Sequence, residues 1–384
     1  MKWKCSVRLI ILWLIMMNLN ACIYEDIELK QYLGELIFND ASLSRDGTQS
    51  CASCHEADRA FFDPRVNATS LDASTPGAVS LGQDDIALGD INSPSIAYVA
   101  MTPEFHFDED AGVFRGGILL NGRTPNVLVQ ARLPFLSALE MQTTEAEVVA
   151  KVEDSYGQLM EYLYGDDVFD SVATAFDAVA DSLAEFEKSD QMATFDSKFD
   201  KALVGDELLS DTEQRGLALF MDEEKGNCAA CHPVPTADSL DVDSLFTDFG
   251  YTNLGVPKNN LVRSLNGRGL GFVDEGLFDN NEVTDVDLKG AFRIVSLRNV
   301  AVTPPYMHNG VFADLETVVH FINSRDVPGA LNPETGLPWQ AAEVDATKNT
   351  NEIGDLGLDA EEVSAIVAFL KTLTDERYES FIEE

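Results

Sequence analysis

Two five-residue strings, Cys51-Ala52-Ser53-Cys54-His55 and Cys228-Ala229-Ala230-Cys231-His232, constrain this 384-residue chain more than any other feature. Both have the form C-x-x-C-H. Two thiols at that spacing reach both vinyl groups of one porphyrin from a single turn of chain, and the adjoining imidazole is held beneath the iron as its proximal ligand. A zinc site would need four ligands gathered together, whereas these pairs lie far apart in sequence. A thioredoxin-like pair belongs to cytosolic redox exchange. The pattern predicts two covalently attached haem c groups, one on Cys51, Cys54 and His55 and one on Cys228, Cys231 and His232.

The start of the chain places this chemistry outside the cytoplasm. Lys2, Lys4 and Arg8 precede the apolar run from Leu9 to Met17, and Leu19-Asn20-Ala21 follows, immediately before Cys22. That order is a secretory signal. The run is about half of the roughly 20 residues that a membrane-spanning helix needs. Leu19-Asn20-Ala21-Cys22 resembles a bacterial lipobox, with Asn20 a less usual occupant, and predicts that residues 1–21 are removed and Cys22 is lipidated. The alternatives are ordinary cleavage nearby, which leaves Cys22 a free thiol, and a short signal anchor. Ile23 favours sorting to the outer membrane, so the expected location is periplasmic and lipid-anchored. Cys5 lies in the signal, and no cysteine remains for a disulfide.

The formal charge is −40, and removal of Lys2, Lys4 and Arg8 with the signal makes it −43. Such a charge excludes nucleic acid as a partner. It could steer a basic electron-donor protein, although a solvated acidic surface suited to salty surroundings accounts for it more simply.

The length predicts two domains. Glu28 to Phe38 carries apolar residues at helical spacing ahead of the first haem motif. Ser210-Asp211-Thr212-Glu213, a capping box, opens a helix ahead of the second. Segments rich in Gly, Pro, Asp and Asn, from Ala60 to Asp90 and from Pro233 to Asn259, read as loops wrapping a cofactor. Helical periodicity returns at Thr144 to Tyr156, Asp167 to Lys188, Asp314 to Ser324 and Asp359 to Thr372. The polar stretch Ser189 to Asp206 marks a domain boundary. The expected fold is mainly α, with two cytochrome c-like domains, 22–195 and 196–384, each wrapped around one haem.

On these residues the chain resembles the bacterial di-haem cytochrome c peroxidases and their methylamine-utilisation, MauG-like, relatives. The resemblance rests on Leu33-Gly34-Glu35-Leu36-Ile37-Phe38-Asn39-Asp40, Ala60-Phe61-Phe62-Asp63, Asn92-Ser93-Pro94-Ser95, Asn121-Gly122-Arg123 and Glu140-Met141 in the first half. In the second half it rests on Phe246-Thr247-Asp248-Phe249-Gly250, Asn253-Leu254-Gly255-Val256-Pro257, Leu297-Arg298-Asn299-Val300 and Pro305-Tyr306-Met307-His308-Asn309-Gly310. The resemblance implies that the haem on His55 reduces hydrogen peroxide while the haem on His232 receives electrons from a small donor protein, a cytochrome c or a cupredoxin. It implies distal roles for Gln130 and Glu140, supported by Arg123. A surface amide and an exposed helix-capping acid are the plainer readings of Gln130 and Glu140. It also implies calcium held between the domains by Asn92 and the carbonyls of Thr303 and Pro305, where Asn92 could equally be a turn residue before Ser93-Pro94. A homodimer is a further expectation.

Three departures stand out. Peroxidase members keep a histidine after the first motif where this chain has Leu71, so the first haem is expected to stand open unless His106 folds back. The sixth ligand of the second haem, a methionine or tyrosine in relatives, corresponds to Ile322, which leaves Met307, His320 or an open position. The tryptophan between the haems of relatives corresponds to Leu120, and Trp339 is the one tryptophan after the signal. His308 is expected to make structural or haem-edge hydrogen bonds. The leading reading is a di-haem cytochrome c peroxidase. The alternatives are a MauG-like oxidase of a protein or organic substrate and a non-catalytic electron-transfer lipoprotein.

Overall fold

The computed structural model describes residues 26–236 and 245–382; the signal segment and Cys22 lie outside them. Helix α1 spans residues 26–39. Two short helices follow, α2 (Val127–Gln130) and α3 (Leu133–Leu136), then the long α4 (Glu145–Tyr164) and α5 (Val172–Glu187). Helix α4 opens on a Thr144/Glu147 capping box and runs past the expected end at Tyr156, because Met160 continues the buried stripe of Val148 and Val152. The expected element over Asp167 to Lys188 is broken at Ser171, whose backbone is extended and whose hydroxyl oxygen caps α5 by accepting from the Thr174 N–H.

Within the polar stretch taken as a boundary, Ser197 and Asp200 form another capping box and open α6 (Lys198–Val204). The second half continues with α7 (Asp211–Met221), α8 (Asn260–Leu265), α9 (Leu315–Ser324) and α10 (Ala360–Lys371). The Ser210/Glu213 box caps α7 as its sequence predicts. Strands are few: β1 (His106–Asp108) pairs antiparallel with β2 (Val113–Arg115), and β3 (Tyr251–Thr252) with β4 (Phe292–Arg293). The fold is mainly α and of the cytochrome c kind.

The two largest cores are built alike. In the first, Leu33, Ile37 and Phe38 of α1 meet Phe176, Val179, Leu183 and Phe186 of α5, with Val148 and Val152 of α4. In the second, Leu219 and Phe220 of α7 meet Val363, Ile366 and Phe369 of α10, joined by Phe199 and Phe246. Each pair of helices approaches closely over one glycine. A Cβ on Gly34 would lie 2.0 Å from the Ser182 carbonyl oxygen of α5, and one on Gly216 would lie 1.9 Å from the Ala365 carbonyl oxygen of α10. Neither position has room for a larger residue. Each haem motif then forms a 3₁₀ turn, Cys51–Ser53 or Cys228–Ala230, after the first helix of its core.

Candidate functional site: a cavity shared by two haem-attachment turns

Hydrogen bonds between distant parts of the chain hold the two halves in one arrangement. Tyr98 donates to the Asp375 carboxylate at 2.6 Å, Asn299 donates to its other oxygen at 2.8 Å, and Tyr378 donates to the Ala57 carbonyl at 2.8 Å. Arg298 pairs with Asp200 at 2.7 and 2.8 Å and lies over the rings of Tyr98 and Phe195. Phe195, the residue at the expected domain boundary, thus lies in the contact between the halves.

Between the two cores lies a cavity of about 610 Å³, lined by Cys54 and His55 from one motif and by Cys228, Cys231 and His232 from the other. None of the four motif cysteines is paired in a disulfide, so both sulfurs of each motif are left for thioether bonds to a haem. Both histidines use the same device. His55 Nδ1 is 3.0 Å from the Phe61 carbonyl oxygen, and His232 Nδ1 is 2.6 Å from that of Phe246. Both phenylalanines have left-handed backbones, with φ of 54° and 52°, which turn their carbonyls toward the imidazoles. Burial keeps both imidazoles neutral, the Nδ1 proton goes to the carbonyl, and Nε2 is left as the free donor for iron.

The structure brings the expected distal residues together. Gln130 at the end of α2, Glu140 after α3, and Arg123 all line the cavity, with Ser137 beside Glu140. Glu140 is open to the cavity yet enclosed by protein. This enclosure raises its carboxyl above the usual range, opposed by the Ser137 hydroxyl and the Arg123 charge. It caps no helix, since Thr144 and Glu147 cap α4.

The remaining candidates divide. Asn92, Thr303 and Pro305 all line the cavity. Asn92 donates from its amide to the Ala78 carbonyl at 3.1 Å, which leaves Oδ1 available. Met307, Ile322 and His308 line it as well. His308 stacks on Phe292 with centroids 3.7 Å apart, and its buried Nε2 has no partner. His106 is exposed on β1 with Nδ1 2.8 Å from the Glu104 carbonyl oxygen, and it does not reach the cavity. His320 points to Glu316, 3.7 Å away, on the other face of α9 from Ile322. Leu71 is exposed and away from the cavity, Leu120 lines it, and Trp339 packs on Phe312 and Phe321 instead.

The arrangement has known counterparts. Residues 28–208 match the family described as di-haem cytochrome c peroxidase. The methylamine utilization protein MauG of Paracoccus denitrificans is 41% identical over 359 residues, covering 92% of this chain and 90% of that protein. The chain belongs to the di-haem cytochrome c peroxidase and MauG family. Cytochrome c551 peroxidase of Nitrosomonas europaea is 28% identical over 347 residues, covering 90% of this chain and 80% of that protein. The diheme peroxidase BthA of Burkholderia thailandensis superposes with a TM-score of 0.81 at 30% identity, covering 92% of this chain and 88% of that one. Members of this family are oxidoreductases, and family membership implies two haem c groups here.

The residues present fit those groups. Each thiol pair sits on a turn beside the cavity, each proximal imidazole is fixed in the tautomer that ligates, and buried polar atoms of Arg293, His308 and Glu343 lie unpartnered along the walls. Sequence reasoning missed several wall residues. Glu187, at the end of α5, lines the cavity at 8% exposure, and burial alone pushes its carboxyl up to about 8. An acid directly after the buried stripe that ends at Phe186 was the available signal. Arg293, Asp274 and Glu343 come from loops and a two-residue strand, which carry no periodicity to betray them.

Proposed function

We propose that this family member is a peroxidase that reduces hydrogen peroxide to two waters, taking two electrons from a small donor protein and two protons. The convergence of Glu140, Gln130 and Arg123 on the cavity wall beside the His55 motif is the observation that carries the reading. Haem c, held by Cys51, Cys54 and His55 and by Cys228, Cys231 and His232, supplies the redox-active iron. The carboxylate of Glu140 takes the proton from one peroxide oxygen and returns it to the other, which leaves as water. Gln130 donates its amide N–H to the departing oxygen, and Arg123 favours the charge that develops there. The enclosure that raises the pKa of Glu140 brings it nearer the working pH, which suits an acid that must both accept and give a proton. Met307, the thioether on the cavity wall, is the candidate sixth ligand of the C-terminal haem, and Asn92, Thr303 and Pro305 are the candidate calcium ligands.

The second reading is a MauG-like oxidase acting on a protein or organic substrate. The 41% identity to MauG and the placement of Leu71 outside the cavity favour it. We place the protein in the periplasm, lipid-anchored through Cys22, with the domains divided at 195/196.

Stopped-flow absorbance of the oxidised and half-reduced holoprotein mixed with peroxide, followed at the Soret band and by donor oxidation, tests the proposal. Multiple turnovers support a peroxidase. A Soret change without donor turnover favours the oxidase, and no reaction in either state leaves an electron carrier.

A further inference from the structure

Among the described residues, four arginine side chains are enclosed by the fold, and three of them have a carboxylate nearby. Arg298 meets Asp200 at 2.7 Å, Arg325 lies 3.3 Å from Asp326, and Arg263 lies 3.5 Å from Asp274. The fourth is Arg293 on β4. Its Nε is buried without a hydrogen-bond partner, and no ion pair reaches it among the described residues. Tyr251, opposite it on β3, supplies no formal charge, since burial pushes its phenol up, and burial works against the guanidinium's own charge. A guanidinium held in such a place without a counter-charge is stabilised by an anion supplied from outside the chain.

The position of Arg293 says where that anion comes from. Its side chain lines the cavity shared by the two haem-attachment turns. Its backbone N–H donates to the Leu120 carbonyl at 2.8 Å, and the next N–H, of Ile294, donates to the Gly250 carbonyl at 2.8 Å. Arg293 therefore sits on the seam where the N-terminal segment Leu119-Leu120-Asn121 meets the C-terminal half, at the level where relatives place a tryptophan between their haems. The cavity is built for haem c, and haem carries two negative groups, its propionate carboxylates. A guanidinium fork matches a carboxylate in shape as well as charge.

We infer that Arg293 binds a haem propionate at the seam between the two halves of the chain. The inference rests on haem occupancy, which family membership implies, and not on which substrate is oxidised or reduced. It gives the seam an electrostatic function: a fixed cation at one haem edge favours the reduced form of that haem and raises its potential.

The test uses mature di-haem protein carrying Arg293→Gln or Arg293→Lys, with haem content checked by pyridine haemochrome. Spectroelectrochemical titration and the propionate-bending modes in resonance Raman are the readouts. Arg293→Gln is expected to lower the potential of one haem, leave the other in place and shift the propionate modes. Arg293→Lys is expected to keep most of the potential while still shifting the modes. Unchanged potentials and modes in fully loaded Arg293→Gln overturn the inference, as does a loss of thermal stability with the modes unmoved. The crystal structure of the wild-type holoprotein decides the question even if neither variant matures. A propionate oxygen within hydrogen-bond distance of Arg293 supports the inference; a chloride, a water or a protein carboxylate there overturns it.

Discussion

Replacing Glu187 by glutamine removes a charge site without changing shape, and the structure sets the size of the effect. The side chain is 8% exposed, and burial alone takes its carboxyl from an ordinary 4.5 to about 8. Between those values the folded chain holds a proton that the unfolded chain has released, so stability falls as pH rises. The difference of about 3.5 pH units corresponds to an upper bound of about 5 kcal/mol between pH 4.5 and pH 8, at about 1.4 kcal/mol per unit. Below pH 4.5 both states are protonated and the term vanishes; above pH 8 it stays at its full value. Denaturant unfolding of the holoprotein at pH 5 and pH 8, wild type against Glu187→Gln, isolates this group because every other titration is common to both. The variant should gain on the wild type as pH rises, by several kcal/mol at pH 8. Equal pH dependence in the two proteins would refute the reasoning and mean that the carboxylate is charged and partnered in the loaded cavity.

Glu140→Gln should lower peroxide turnover roughly 10²- to 10⁴-fold, the usual worth of a general acid–base group, and remove the acid limb of the kcat/KM profile. That limb should lie above the ordinary glutamate value, since the group must be ionised to accept the proton. Asp200→Ala removes the carboxylate that accepts two hydrogen bonds from the buried Arg298 guanidinium and should cost about 3–5 kcal/mol by chemical denaturation. Because the folded pKa of Asp200 is lowered, its stabilisation is present above the unfolded carboxylate value and lost as pH falls through the folded one, so the variant should be less sensitive to acid. Gly216→Ala places a methyl group 1.9 Å from the Ala365 carbonyl oxygen and should cost about 1–3 kcal/mol, read as a lower melting temperature of the holoprotein. Met307→Leu should change the visible spectrum of the C-terminal haem while leaving the N-terminal haem as it was.

What the sequence made legible followed the strength of its local signals. The two C-x-x-C-H strings, the Ser210 capping box and the apolar periodicities placed α1, α4, α5, α7, α9 and α10, since each is set by bonds within a few residues. The break at Ser171 and helix α6 were missed. A cap interrupted a continuous stripe in the first case, and in the second a short helix with one buried phenylalanine was hidden in polar surroundings. Gln130, Glu140 and Arg123 were found by resemblance; their own spacing carries no period that would bring them together. Arg293 and Glu187 have meaning only once the cavity exists, because their burial depends on segments more than a hundred residues away in sequence.

Similar proximal devices at the two haem sites bear on the division of labour. His55 and His232 each donate from Nδ1 to the backbone carbonyl of a phenylalanine with a left-handed backbone, so both imidazoles are oriented in the same way. The other walls differ far more. The N-terminal half offers Arg123, Gln130, Ser137 and Glu140, groups that move protons and meet developing charge. The helices α9 and α10 offer Leu315, Val318, Val319, Ile322, Ile366 and Leu370, which can exclude water and shift a potential but cannot move a proton. On the peroxidase reading proposed above, this contrast assigns peroxide chemistry to the first haem. Placing an acid at Ile322 should alter the potential and ligand affinity of the second haem without creating peroxide turnover there, because α9 and α10 bring no amide or guanidinium to the cavity beside it.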